Sequence, residues 1–213
     1  MINTMNNDIT PKVKFYLFSK RVTDIFLSAI GLILLSPILL IVAIAIRIDS
    51  KGPIIFKQDR VGKDGKIFSM YKFRSMIVNA EELKAKLETK NEMSGTMFKM
   101  KNDPRITKVG RFIRKTSIDE LPQLINVIKG DMSLVGPRPS LPKEVEQFSP
   151  WMLERLKVKP GITCYWQVMG RNNIAFEEWM KLDVKYVHEM NYWLDIKLIF
   201  KTFFVLFGDE SAS

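Results

Sequence analysis

At 213 residues, with 46% hydrophobic and 11% aromatic content, the chain is long enough for one domain with a proper core and too apolar for a disordered tail. Its single cysteine, Cys164, excludes an intrachain disulfide, and no cluster of cysteine and histidine offers zinc a site, which favours a reducing, cytoplasmic setting. A formal net charge of +10 suits a polyanionic partner, whether nucleic acid, an anionic membrane face or a phosphorylated substrate.

Lys12, Lys14, Lys20 and Arg21 precede an uncharged run of 22 residues, Ile25 to Ile46, "IFLSAIGLILLSPILLIVAIAI". As a helix it reaches about 33 Å against a hydrocarbon core of about 30 Å, long enough to span. It is too long for a secretory signal, and "RIDSKG" after it is no small-x-small cleavage site. Ser36-Pro37 falls in the middle. Proline removes one backbone hydrogen bond and crowds the carbonyl of Ile33, so a kink is expected, with the Ser36 hydroxyl available to a freed backbone group. A sharp kink returns the helix to the face it entered by. Arg47, Lys51, Lys57 and Arg60 follow, so both flanks carry the positive charge that marks the cytoplasmic side.

Two short strands come next, around Ile54 to Gln58 and Ile67 to Phe73, turned through Gly62 and Asp64-Gly65 as a β-hairpin. Residues 79–92 read as a solvated helix capped by Asn79, with Glu82 four residues before Lys86. "NDPRITKVGRFIRK" then returns to basic and apolar residues.

In "SIDELPQLINVIKGDMSLVGPRP", Leu121, Leu124, Ile125 and Ile128 follow helical spacing and Lys129-Gly130 is a normal helix ending. Pro122 belongs in a first turn, which puts the N-cap near Asp119. Taken alone, Asp119 is a cap and Glu120 a dipole partner. The surroundings open a second reading. Arg111, Arg114 and Lys115 lie upstream, while Pro137 and Pro139 stiffen the backbone around Arg138 and can aim its donor fork at a diphosphate. "KPGITCYWQVMGRNN" adds Arg171 on a glycine-containing turn beside aromatics. An acidic pair amid arginines suits phosphoryl chemistry in which a carboxylate attacks phosphorus or holds magnesium.

His188, the only histidine, reads as structural. The stretch Tyr192 to Phe207 is aromatic but broken by Asp195, Lys197 and Lys201; it is too short to span and suits an interfacial helix with Tyr192 and Trp193 at headgroup level, or a core helix. The sequence has no glycine-rich phosphate loop, dinucleotide fingerprint or Asp-x-Asp motif, which counts against an ATPase, a dehydrogenase or an ordinary glycosyltransferase.

From Lys20 to about Phe207, "KRVTD", the Ser36-Pro37 break, "YKFRSM", "NDPRITKVGRFIRKTSIDELPQLINVIKGDMSLVGPRP", "VKPGIT", "WQVMGRNN" and "LDVKYV" occur in an order and spacing that resembles the bacterial sugar transferases, the small monotopic phosphoglycosyl transferases. The resemblance implies an α+β, mostly helical, monotopic membrane protein with a kinked re-entrant N-terminal membrane helix, a small β-hairpin and interfacial amphipathic helices. It divides the chain into an N-terminal extension (1–18), the re-entrant helix (19–48), a cytoplasmic catalytic domain (49–207) and a tail (208–213).

It further implies that Asp119 is the nucleophile and that Glu120, with Asp119 beside it, binds Mg2+. Lys72, Arg114, Arg138 and Arg171 match basic residues around the phosphates, and Lys20, Arg21 and Asp24 a charged group at the start of the membrane helix. The implied reaction moves a hexose-1-phosphate from a UDP-sugar to undecaprenyl (polyprenol) phosphate through an aspartyl phosphosugar, releasing UMP and beginning a surface glycan. It would run at the cytoplasmic face of the inner membrane, with lipids and no nucleic acid as partners. The extent of "EMSGTMFKMKNDPRIT" resembles members acting on UDP-glucose or UDP-galactose. The usual glycine after "PGIT" is Cys164 here, which bears on the local turn. Two other classes fit the same residues: a membrane-bound phosphatase with an aspartyl phosphate, and a non-enzymatic scaffold for anionic lipid.

Overall fold

The uncharged run lies inside one long helix, α1 (Pro11–Asp49), with Pro11 in its first turn, where an amide hydrogen has no helical partner to lose. The structure, a computed structural model, describes residues 10–80, 82–83, 100, 103–169 and 174–208. Pro37 sits within α1. The Ser36 hydroxyl donates to the Ile33 carbonyl at 2.7 Å, satisfying the acceptor that proline leaves without its amide partner.

One stripe of α1 docks on the rest of the protein along its length. Arg21 forks onto the carbonyls of Val127 (2.5 Å) and Ile128 (2.7 Å), and Asp24 accepts from the Leu134 amide at 3.0 Å. Further along, Val42 and Ile46 pack with Phe73 and Ile113. The opposite stripe is bare and apolar: Ile33, Leu34, Leu40 and Ile41 are all well exposed. The most apolar stretch has a mean hydropathy of 2.9 and is only 11% buried, so α1 is not a core helix of the described body.

The hairpin forms as expected, from β1 (Ile55–Val61) and β2 (Ile67–Phe73), paired antiparallel from Ile55 opposite Phe73 to Val61 opposite Ile67. β1 runs past Gln58 because the chain turns only in a 3₁₀ turn, Lys63–Gly65, where Asp64 and Gly65 take left-handed conformations. The helix expected over 79–92 falls mostly outside the described residues. Thr107 caps α2 (Lys108–Lys115) by accepting from the Gly110 amide. Gly110 presses on the chain leaving β2 so closely that a Cβ there would lie 2.0 Å from the Ser75 carbonyl oxygen.

The acidic pair departs from expectation. Asp119 and Glu120 occupy their own 3₁₀ turn, Ile118–Glu120, and Pro122 rather than Asp119 caps the following helix, α3 (Gln123–Lys129). Ser117, held left-handed at φ 55°, separates this turn from α2. The inward face of α3 also differs, burying Gln123, Leu124, Asn126 and Val127 while Ile125 points to solvent. Asn126 explains the rotation: its side-chain oxygen accepts from the Tyr71 amide (3.0 Å) and its nitrogen donates to the Ser69 carbonyl (2.8 Å), serving the free edge of β2. Gly130, left-handed at φ 95°, closes α3 as expected.

A second sheet was not legible in the sequence: β3 (Ser133–Val135) and β4 (Gly161–Thr163) pair in parallel, each too short to show a period. Between them lie α4 (Pro142–Val145) and a 3₁₀ stretch, Met152–Lys157; after them come α5 (Tyr165–Val168), α6 (Phe176–Glu189) and α7 (Tyr192–Gly208). Cys164 is buried among Val135, Val158, Tyr186 and Leu198 with φ −163°, an extended backbone open to any residue, so the turn needs no glycine. In α7, Leu198 faces the core and Trp193, Phe200, Phe203 and Phe204 face outward. Asp195 is no interruption of this helix. It is buried and accepts from Lys20 (2.7 Å), Tyr16 (2.9 Å) and Tyr186 (2.7 Å), locking the last helix to the first. The described residues are thus mostly helical, with two small sheets and one long apolar helix.

Candidate active site

Strand alternation builds one wall of the site. Phe56, Gln58 and Arg60 alternate onto one face of β1, and Lys72 stands opposite Phe56 on β2. This face looks into a cleft of about 640 Å³ that Asp119, Glu120, Arg114, Arg138 and Trp166 also line. The tight turn at Ser117 brings the acidic pair under Lys72, whose ammonium lies 2.7 Å from Glu120 Oε1; Arg138 reaches the same oxygen at 3.8 Å.

Asp119 is buried, and its carboxyl is pushed up to about 6 by burial and by the charge of Glu120, against the opposing pull of Lys72, Arg114 and Arg138. It is a carboxylate that titrates near neutrality inside a cationic cleft. Such a group can be ionised and poorly solvated at once, the condition of a reactive oxygen nucleophile.

The expected residues Asp119, Glu120, Lys72, Arg114 and Arg138 share this one cleft. Arg171 lies outside the described residues. His188 pairs at 2.9 Å with Glu154 and is not part of the lining. Lys20, Arg21 and Asp24 are also away from the lining, tying α1 to β3, α3 and α7.

The sequence reading missed the residues that hold Arg138 in place. Three successive carbonyls are tied down: that of Arg138 accepts from Arg155 at 2.6 Å, that of Pro139 from Arg60 at 3.0 Å, and that of Ser140 from the Val61 amide at 2.9 Å. Arg60 is itself held by Gln58, and burial followed by the proximity of Arg138 lowers its guanidinium to about 10. Arg155 is fully buried; it also donates to Ser140 Oγ and to Asp183, and lies over the rings of Trp179 and Phe148. Period-two alternation in β1 was enough to place Gln58 and Arg60 on the face of Lys72. For Arg155 no local pattern existed, since its partners come from distant segments.

The cleft thus holds two carboxylates among arginines and a lysine, in a chain that also carries a helix long and apolar enough to cross a membrane. Residues 15–209 match the family described as bacterial sugar transferase. The galactosyl transferase CpsE of Streptococcus agalactiae serotype III is 53% identical over 199 residues, which cover 91% of this chain and 44% of that protein. The undecaprenyl-phosphate galactose phosphotransferase of Salmonella typhimurium is 45% identical, with 92% of this chain and 42% of that protein covered. The UDP-glucose:undecaprenyl-phosphate glucose-1-phosphate transferase of Escherichia coli is 42% identical, with 91% and 41% covered. The chain belongs to the bacterial sugar transferase family, and it spans less than half the length of each of these relatives.

Proposed function

We propose that the protein transfers a hexose-1-phosphate from a UDP-sugar to undecaprenyl phosphate and thereby begins a surface glycan. The observation that carries this is the buried Asp119 carboxylate beside Glu120, Lys72 and Arg138 in one cleft. The relatives named for UDP-glucose and for undecaprenyl phosphate supply the substrate class.

In this mechanism an Asp119 oxygen attacks the phosphorus that bears the sugar. The bond to the bridging oxygen breaks, its electron pair leaves with UMP, and an aspartyl phosphosugar remains. A phosphate oxygen of the polyprenol phosphate then attacks the same phosphorus and frees the carboxylate. Lys72, Arg138 and Arg114 hold the diphosphate and stabilise charge on the leaving phosphate. Magnesium fits the donor set, because the adjacent Asp119 and Glu120 carboxylates line one cleft and, with diphosphate oxygens, would form the all-oxygen environment that cation prefers. When bound through Glu120, it would neutralise the diphosphate.

We also read α1 as a re-entrant anchor at the cytoplasmic face of the inner membrane. Its support is that Arg21 and Asp24 before the apolar run and Val42 and Ile46 at its far end dock on one body, while the stripe between is bare and apolar. The outward aromatics of α7 then lie in the same interface. The test is to supply UDP-glucose, UDP-galactose or their N-acetyl forms with undecaprenyl phosphate and to measure UMP. Release that depends on the lipid supports transfer; free sugar phosphate formed without lipid would instead mark a phosphatase.

A further inference from the structure

The guanidinium of Arg138, one of the groups proposed to hold the diphosphate, donates no hydrogen bond among the described residues. Its ion-pair partner there, Glu120 Oε1, stands at 3.8 Å, too far for a hydrogen bond. What supports it is a ring: its central carbon lies over Trp166, on α5, 5.4 Å from the ring centroid. Trp166 is backed in turn. Its ring stacks on that of the buried Trp179, on α6, with centroids 5.0 Å apart and planes 29° from parallel. Arg155, which donates to the Arg138 carbonyl, has its own guanidinium 5.5 Å from the Trp179 centroid. Main chain and side chain of Arg138 are thus both tied to the buried pair of Arg155 and Trp179.

An arginine side chain is long, and fixing it for a ligand costs rotamer entropy. A flat aromatic support lowers that cost in a particular way. It attracts the cation through the ring quadrupole and offers no lone pair, so the five N–H donors are not spent on an acceptor within the protein. A carboxylate or carbonyl in the same place would take some of them. Arg138 is therefore steadied while its fork stays available to phosphate oxygens. Trp166 and Arg138 line the same cleft as Asp119 and Lys72, where that fork is needed. Resting on the function proposed above, we propose that Trp166 is a positioning residue, which orients the Arg138 guanidinium toward the diphosphate of the UDP-sugar.

The experiment measures UDP affinity by calorimetry, and kcat/KM from UMP release, for wild type, Trp166→Phe and Trp166→Leu, each with Arg138 intact and with Arg138→Ala. Leucine removes the aromatic face and phenylalanine keeps part of it. With Arg138 intact, Trp166→Leu should weaken UDP binding and lower kcat/KM about fivefold to thirtyfold, the scale of a partly desolvated cation–π contact, and Trp166→Phe should recover most of the loss. In the Arg138→Ala background both changes should cost less than about twofold. A loss that persists there means that Trp166 meets the nucleotide itself or merely supports the fold, and overturns the assignment. Trp166→Leu with unchanged UDP affinity overturns it too, as does Trp166→Phe that is no better than Trp166→Leu. UDP binding is read without turnover, so wild type that binds UDP but releases no UMP from any UDP-sugar removes the proposed function and leaves Trp166 to be judged on affinity. Wild type that binds no UDP overturns both.

Discussion

Arg155 and Arg138 are joined through the backbone: a guanidinium nitrogen of Arg155 donates to the Arg138 carbonyl at 2.6 Å, while the Arg138 side chain turns the other way, toward Glu120. The buried arginine thus positions the half-buried one. Lysine at 155 keeps a charge near Asp183 but cannot reach Ser140, Arg138 and Asp183 together. Arg155→Lys should lower kcat/KM by about tenfold or more, on the scale of one or two lost hydrogen bonds. In an Arg138→Ala background the same change should cost little. Full additivity in that double-mutant cycle would show that Arg155 acts by some other route.

Asp119→Asn keeps the shape of the proposed nucleophile and removes its charge. Turnover should vanish while UDP-sugar binding persists, and intact-mass analysis of wild type with donor alone should show a phosphosugar adduct that the variant lacks. Turnover surviving in the variant would sink the covalent mechanism.

With Asp119 as the proposed nucleophile, its raised carboxyl should set the pH dependence. The nucleophile must be deprotonated, so kcat/KM should fall as pH drops through about 6, the value for the free protein. Lys72 is the first of the cations that lower it. Lys72→Met should therefore move the acidic limb to higher pH as well as slow the reaction. A limb that stays in place would show that another group controls it.

Glu120→Gln should raise the magnesium concentration needed for half-maximal rate and depress the rate itself by about 10²-fold or more, as expected for an electrostatic group in a partly dry site. Activity that resists a chelator in wild type would show that the reaction needs no divalent cation.

Replacing Ser36 and Pro37 with leucines restores the missing backbone bond and leaves an uncharged run long enough to cross. Labels at both ends of wild-type α1 should be shielded from outside intact cells, and the variant should show a mixed topology, since carrying Lys12, Lys14, Lys20 and Arg21 across opposes full inversion. A wild-type N-terminus reached from outside would mean a true spanning helix.

What could be read from the sequence was whatever a local pattern encodes. The apolar run, the hairpin with its Asp64-Gly65 turn and the Gly130 helix end each depend on neighbours within a few positions. The phase of α3 did not follow its apolar spacing, because the buried residue that fixes it, Asn126, is polar and answers to the edge of β2. The start of α3 was misplaced for a related reason: Ser117 takes a left-handed conformation that no glycine announces. The Asp119–Glu120 pair was visible, but the burial that perturbs Asp119 belongs to the assembled cleft. Arg155 and Asp183 were hidden altogether, being 28 positions apart and meaningful only through the segment they grip.

The bond between Lys20 and Asp195 closes a loop of 175 positions. At about 5–20 residues per second, a ribosome delivers Asp195 roughly 10–35 s after Lys20. For that interval the first helix has neither its charge partner nor α7 to lie against. A contact of such high order forms late, so on the proposed reading of α1 as an anchor the bilayer would shelter the helix before the domain does. With α1 as an anchor, translation would make the membrane a stage in folding, the rest of the chain being assembled against a helix already lodged there.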